Sequence, residues 1–177
     1  MKKIDLHTHT DISDGSETPE AAVRLAKSLG LAAIAVTDHD TAAGVKRAKA
    51  EGEKCGVEVV SGIELGCGWH GSEVHMLGYG VDPDDRGLAS VLDRIVRDRH
   101  ERNVKMAKLL SDDGIEIDVA ELERRHPGSV IGRPHFALCL VEAGVADSVK
   151  DAFNRFLDPG RKYYVRRHFL SLEEGAE

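Results

Sequence analysis

Cysteine is scarce in this chain of 177 residues: Cys55, Cys67 and Cys139 are odd in number and widely scattered. Such spacing builds neither a disulfide framework nor a zinc knuckle, and it suits a reducing cytoplasm. Apolar runs are short, and none approaches the roughly 18 residues needed to cross a bilayer. Lys2 and Lys3 are followed by Ile4-Asp5-Leu6-His7 and not by an apolar stretch, so the N-terminus does not read as a signal peptide. Basic charge is in deficit, with 24 Lys and Arg against 31 Asp and Glu, a net charge of −7. Aromatic residues make up 5% and are not interleaved with basic ones. The chain as a whole is therefore no basic membrane-surface binder, and a nucleic-acid-binding module is disfavoured. An anionic substrate would have to be met by a local basic patch or by metal ions. Hydrophobic residues at 41% and charged residues at 31% are ordinary for a folded domain with a sizeable core.

The first half alternates strand-like and helix-like segments. Residues 3–6 form a strand running into a polar loop over 8–18. A helix follows, with Thr18 as its cap, Pro19 in its first turn, Ala22, Leu25, Ala26 and Leu29 at helical spacing, and Gly30 as its end. Leu31–Val36 is a continuous apolar run, as expected of a strand buried on both faces. A second helix is predicted over 41–52, closing at Gly56. A third strand over 57–60 continues to Glu64, and a fourth over 73–79 reads as a detour paired with 64–67. This alternation implies right-handed crossovers and a parallel sheet. Residues 82–114 turn helical and charged, with Leu88, Val91, Ile95, Val104, Ala107 and Leu110 as the expected buried stripe. Short helices are expected over 118–126, 134–143 and 147–156. Ser171-Leu172-Glu173-Glu174 fits a capping box three residues before the last one. The expectation is a fragment of a longer α/β protein, with residues 1–80 as the N-terminal part of the fold, 81–160 as a helical insertion and 161–177 as a return to it.

The unusual abundance is histidine: nine in all, five of them at or before position 75. His7-Thr8-His9 puts two imidazoles at the exit of the first strand, where positions i and i+2 point to one side and can share a metal. Asp14 follows in the loop. Thr37-Asp38-His39-Asp40 places a third imidazole at the exit of the second strand, Glu64 lies at the exit of the third, and His75 within the next. Parallel strands present their C-terminal ends on one edge, so all six groups can converge. Four imidazoles and two carboxylates exceed the needs of one tetrahedral zinc. They suit two or three zinc, manganese or iron ions, with Glu64 bridging a pair. Thr8, Asp38 and Asp40 read as supporting or loop-capping groups.

The opening DLHTHTDISDGSETPEAAVRLAKSLGLAAIAVTDHDTAAG closely resembles the polymerase and histidinol phosphatase (PHP) superfamily. SGIELGC, EVHMLGY and IGRPHFA narrow the resemblance to its stand-alone metal-dependent phosphoesterases, among them 3′,5′-nucleoside bisphosphate phosphatases and RNase AM-like exoribonucleases. The resemblance implies a distorted seven-stranded TIM-like (β/α) barrel, here lacking its C-terminal strands, with a trinuclear metal site at the C-terminal face. It implies that His7, His9 and Glu64 hold one metal, Glu64 and His75 a second, and Asp14 and His39 a third. The family's later Ala-His-Pro-like and Asp-x-His motifs do not occur after His168, which leaves full metal occupancy and turnover open. An unclosed barrel would expose apolar faces of Leu31–Val36 and its neighbours and invite self-association.

The matching Arg133 and His135 approach the substrate phosphate in that subfamily. Arg133 offers a planar fork for phosphate oxygens, and His135 could donate a hydrogen bond or protonate a leaving group. The plainer alternative makes Arg133 a loop cap and His135 a solvated first-turn residue. Arg99 and Arg102, with Asn103, could line the substrate cleft, or simply face water as charge runs do. The implied function is hydrolysis of phosphate monoesters of nucleotides or short oligonucleotides by a metal-bridging hydroxide. The alternatives are a histidinol-phosphate-type phosphatase and a truncated metal-binding domain without turnover.

Overall fold

The computed structural model describes residues 2–177; Met1, where the N-terminal reading begins, lies outside the described residues. In chain order the elements are β1 (Lys3–Thr8), α1 (Pro19–Ser28), β2 (Leu31–Val36), α2 (Val45–Cys55), β3 (Glu58–Trp69) and β4 (Ser72–Tyr79). Then come α3 (Arg86–Ser111), α4 (Val119–Arg125), α5 (Arg133–Glu142), α6 (Val149–Ala152), a π-helical turn (Phe153–Leu157), β5 (Leu170–Ser171) and α7 (Leu172–Ala176). The chain divides into two compact units: one runs up to Ile95 and takes in Phe169–Glu177, and the other is Val96–His168.

The first unit is an α/β fold whose curled parallel sheet makes a half-barrel. The strand order is β1-β2-β3-β4, with β5 also on β3. Strands β1, β2 and β3 are parallel, β4 is antiparallel to β3, and β5 is parallel to it. Five strands are present among the described residues. The Thr18 hydroxyl caps α1 by accepting from Ala21 N, and Gly30 beyond its end adopts a left-handed φ of 71°. Ile34 and Val36 of β2 pack on Val23 and Ala26 of α1 and on Ala48 of α2. Burying aliphatic side chains of this size stabilises by about 1.5–3 kcal/mol each.

Several expectations need correcting. The second helix starts at Val45, with Gly44 at its cap, and not at residue 41: the Thr41 hydroxyl accepts from Ala43 N as in a Ser/Thr turn, and no helix continues from it. Helix α3 buries Ile95, Arg102, Asn103, Met106 and Leu110, whereas Val104 is 47% exposed. Met106 and Leu110 stand four residues apart, and Val104 falls off that stripe. The last expected helix breaks into α6 and the π-helical turn. Strand Leu31–Val36 is covered, not bare; the exposed apolar side chains belong to its neighbour β1 at the sheet edge, Ile4 at 57% and Leu6 at 38%.

The second unit has its own core, in which Met106 and Leu110 of α3 pack with Phe136 and Leu140 of α5, Leu157 and Tyr163. The Tyr163 hydroxyl donates to Asp113, so Tyr163 is a packing residue with a satisfied polar end.

Candidate metal centre and GRPH segment

Backbone pairing sets the stage at the C-terminal ends of the parallel strands. Thr8 pairs with Val36, Thr37 N donates to Thr8 O, and a parallel bridge joins His39 to Glu64. Asp40 N donates to Glu64 O, and its carboxylate accepts from Gly66 N. Asp40 takes a left-handed φ of 54° to do so. These contacts hold His39 and Glu64 side by side.

Loop 10–15 hangs on Asp38. Its Oδ1 accepts from Thr10 N at 2.6 Å and from Ser13 Oγ at 2.8 Å, and its Oδ2 accepts from Thr10 Oγ1 at 2.7 Å. Gly15 packs against the His9 carbonyl, where a Cβ would come within 2.4 Å of the oxygen. Thr8 Oγ1 donates to Ala35 O. The loop thereby returns Asp14 over the strand ends beside His9.

All six sequence-predicted ligand residues meet here. Glu64, only 2% exposed, is the hub. Its Oε2 lies 2.7 Å from His7 Nε2 and 2.8 Å from His9 Nε2, and its Oε1 lies 2.5 Å from His75 Nδ1. Asp14 stands 3.5 Å from His9 Nδ1 and 3.7 Å from His39 Nε2. The rings of His9 and His39 are 4.6 Å apart, and those of His39 and His75 are 4.9 Å apart. Potential ligand atoms of three overlapping groups lie within 4.8 Å of one another: His7, His9 and Glu64; His9, Asp14 and His39; His39, Glu64 and His75.

The donor set fits divalent ions. Imidazole nitrogens and carboxylate oxygens suit zinc, manganese and iron, and the two Glu64 oxygens face different groups, as a bridging carboxylate does. Burial pushes the Glu64 carboxyl up, but the surrounding imidazoles outweigh it and hold the group below the usual carboxylate range. His75 is shifted upward, chiefly by Glu73, against burial and with help from Glu64. Sequence reasoning passed over Glu73, although Glu73-x-His75 has the same i, i+2 strand spacing as the His7-His9 pair.

The four predicted substrate residues lie in the second unit. Arg102 is buried, and its Nε donates to Asn103 Oδ1, while Asn103 Nδ2 donates to Ile131 O. Arg99 Nη1 lies 3.3 Å from where a Cβ on Gly132 would stand, so the missing side chain lets the guanidinium approach. Arg99, Asn103, His126, Ser129 and Ile131 line a cavity of about 220 Å³. Arg133 faces the Phe153 and Tyr164 rings at 5.9 and 5.6 Å.

His135 is buried, not solvated. Its Nδ1 accepts from Gly132 N at 3.1 Å, and the His126 ring meets it edge-on at 4.8 Å. A neutral imidazole that accepts at Nδ1 carries its proton on Nε2.

The PHP domain model matches residues 5–158. A 3′,5′-nucleoside bisphosphate phosphatase from Chromobacterium violaceum is 35% identical over 99% of this chain and 62% of its own length. The 5′-3′ exoribonuclease Rnm of Escherichia coli is 32% identical over 98% of this chain and 60% of its own. A solved Bifidobacterium adolescentis protein, described as a metal-dependent phosphoesterase, superposes with a TM-score of 0.91 at 33% identity, covering 98% of this chain and 62% of that one. The chain thus spans about three fifths of the length of the curated relatives it matches. With the family model covering most of its residues, and with these relatives aligned from end to end of it, the chain belongs to the PHP domain family.

Proposed function

We propose that the chain is a metal-dependent phosphoesterase acting on phosphate monoesters of nucleotides, 3′,5′-bisphosphate nucleosides above all, or of short oligonucleotides. The observation that carries this reading is the convergence of His7, His9, Asp14, His39, Glu64 and His75 in three overlapping groups. The names of the relatives, a nucleoside bisphosphate phosphatase and an exoribonuclease, point the same way. Bound manganese, zinc or iron, two or three ions per chain, would supply Lewis-acid charge and a water of lowered pKa.

The residues themselves do the rest. Glu64 orients ligands on both of its oxygens, and Asp14 closes the set from the loop. Arg133 receives phosphate oxygens in its fork, with Arg99 and Arg102 adding positive charge to a chain of net −7. His135, committed to Nε2–H by Gly132, enters as a hydrogen-bond donor to a phosphoryl or leaving oxygen and not as a base at that nitrogen. On this reading residues 81–160 form a helical cap on a barrel supplied by 1–80 and 161–177, the protein works in the cytoplasm, and the β1 edge is where copies would associate.

Elemental analysis of protein purified without chelator, paired with phosphate release from a panel of nucleotides and histidinol phosphate, tests the reading. Bound metal with chelator-sensitive release from nucleotides supports it. Release from histidinol phosphate alone would turn the assignment to a histidinol-phosphate-type phosphatase, and metal without release to a binding domain.

A further inference from the structure

The hairpin of β3 and β4 brings a second carboxylate behind one of the imidazoles. In this antiparallel pair Glu64 opposes Leu77, Gly66 opposes His75, and Gly68 opposes Glu73. Directly opposed residues share a face, and so do alternate residues along a strand. Glu64, His75 and Glu73 therefore emerge together. The register is pinned from the other side, where Leu65, Cys67, Val74 and Met76 join an apolar cluster that a one-residue slip would expose.

The His75 ring lies between two carboxylates. Its Nδ1 is 2.5 Å from Glu64 Oε1, and its Nε2 is 3.6 Å from Glu73 Oε1. Glu73 is in none of the three metal-binding groups, and it faces the ring nitrogen opposite the one that faces Glu64. A neutral imidazole has one proton to place. Nδ1 can offer a lone pair to a cation shared with Glu64 only when the proton sits on Nε2, on the side where Glu73 waits. At 3.6 Å the contact is electrostatic and not a hydrogen bond. The Glu73 side chain is half-buried and the His75 ring is 43% exposed, so solvent screens that attraction in part.

We propose that Glu73 is a positioning residue for His75: its carboxylate draws the imidazole proton to Nε2, turns Nδ1 toward Glu64, and so sets the affinity of the His39, Glu64 and His75 group for a divalent cation. The proposal rests on the metal reading of that group. It adds a carboxylate–histidine relay of the kind that orients metal ligands elsewhere, whose loss typically costs 10–100-fold in metal affinity.

Two readouts test it. In zinc-loaded protein labelled with 15N-histidine, the His75 Nε2–H signal of the wild type should shift in Glu73→Ala, which removes the carboxylate facing it; His75→Gln identifies the signal. Manganese(II) is then titrated into chelated protein, with the free ion followed by electron paramagnetic resonance. The binding class that disappears in His75→Ala belongs to this group. That class should weaken roughly 10–100-fold in Glu73→Ala and less in Glu73→Gln, whose amide oxygen keeps a partial negative charge facing Nε2–H. An unchanged melting temperature without metal shows that each variant folds. A wild-type Nε2–H signal and wild-type affinity in Glu73→Ala would overturn the proposal and leave the metal reading standing, as would equal losses in the alanine and glutamine variants. A wild type that takes up no manganese overturns both.

Discussion

Asp38 is the place where a single substitution should separate the architecture of the site from its ligands. Asp38 is in none of the three metal-binding groups, though its backbone carbonyl accepts from Glu64 N, and its buried carboxylate accepts three hydrogen bonds from Thr10 and Ser13. Thr10 in turn accepts at its carbonyl from Ser13 N and Gly15 N, so the loop that carries Asp14 is fastened through this one side chain. Asp38→Ala leaves the Thr10 amide and two hydroxyls without that partner in a buried place. An unsatisfied buried group costs about 1–3 kcal/mol, and a hydrogen bond to a charged group contributes about 1.5–3 kcal/mol. Three such losses do not add fully, and desolvation of the carboxylate is relieved, which brings the expected net to about 3–4 kcal/mol. Asp38→Asn keeps one oxygen, and Thr10 Oγ1 can turn to accept from the new amide, so its cost should be about 1–2 kcal/mol.

Denaturant unfolding in excess chelator measures both changes without metal linkage to the folded state. Manganese titration of the asparagine variant supplies the functional half: binding that needs Asp14 should weaken more than binding that needs His75. A loss below about 1 kcal/mol in Asp38→Ala would refute the reasoning, as would an asparagine variant less stable than the alanine one. Either result would mean that the loop is held by something other than this carboxylate.

Three further outcomes are expected. His7→Ala and His9→Ala should each lower metal content and phosphate release together while the far-ultraviolet circular dichroism stays near wild type; full metal stoichiometry in His7→Ala would remove that strand end from the ligand set. Arg133→Ala should keep its metal and lose on the order of tenfold to a hundredfold in kcat/KM on phosphorylated substrates, the equivalent of one charged hydrogen bond. Arg47 donates two hydrogen bonds to Glu20 and pulls its carboxyl from 4.5 to about 2. Because the folded-state value is the lower one, the pair stabilises fully above the ordinary carboxylate range and ceases to do so as pH falls toward 2. The groups are part-exposed, so Glu20→Gln should cost only about 0.5–1 kcal/mol at pH 7, and less at pH 3; a gap that widens on acidification would contradict the assignment.

The elements that were legible in the sequence are those whose signals are local. Thr18-Pro19 opens α1 and Gly30 follows its end, Leu31–Val36 is a strand to the residue, and Ser171 with Glu174 forms the expected capping box. The misplaced boundaries have tertiary causes. Thr41 resembles a helix cap in sequence, but His39 and Asp40 are committed to β3 through the bridge to Glu64, and the chain needs four more residues to leave the sheet before α2 can start. Val104 fits an apolar stripe as well as Met106 does. What decides between them is that Phe136 and Leu140, some thirty residues on, meet the Met106 side of α3.

The same distinction explains the site. His7 and His9 two residues apart, and His39 and Glu64 each at a strand exit, are readable because strand alternation and parallel pairing turn sequence position directly into place. Nothing comparable announces His135. A histidine in the first turn of a helix can cap, pack or point to solvent, and only the Gly132 amide on Nδ1 decides which. That contact also narrows the chemistry, since a ring that accepts there presents a proton at Nε2 and cannot take one up at that nitrogen without rearranging the cap. Glu73 lies between these cases: its spacing to His75 was open to inspection, but its significance depends on which ring nitrogen faces Glu64, and that is set by how β4 pairs with β3. Residues that hold a metal can be found by where strands end. The residues that decide how those ligands are oriented are fixed by register, one pairing further from the sequence.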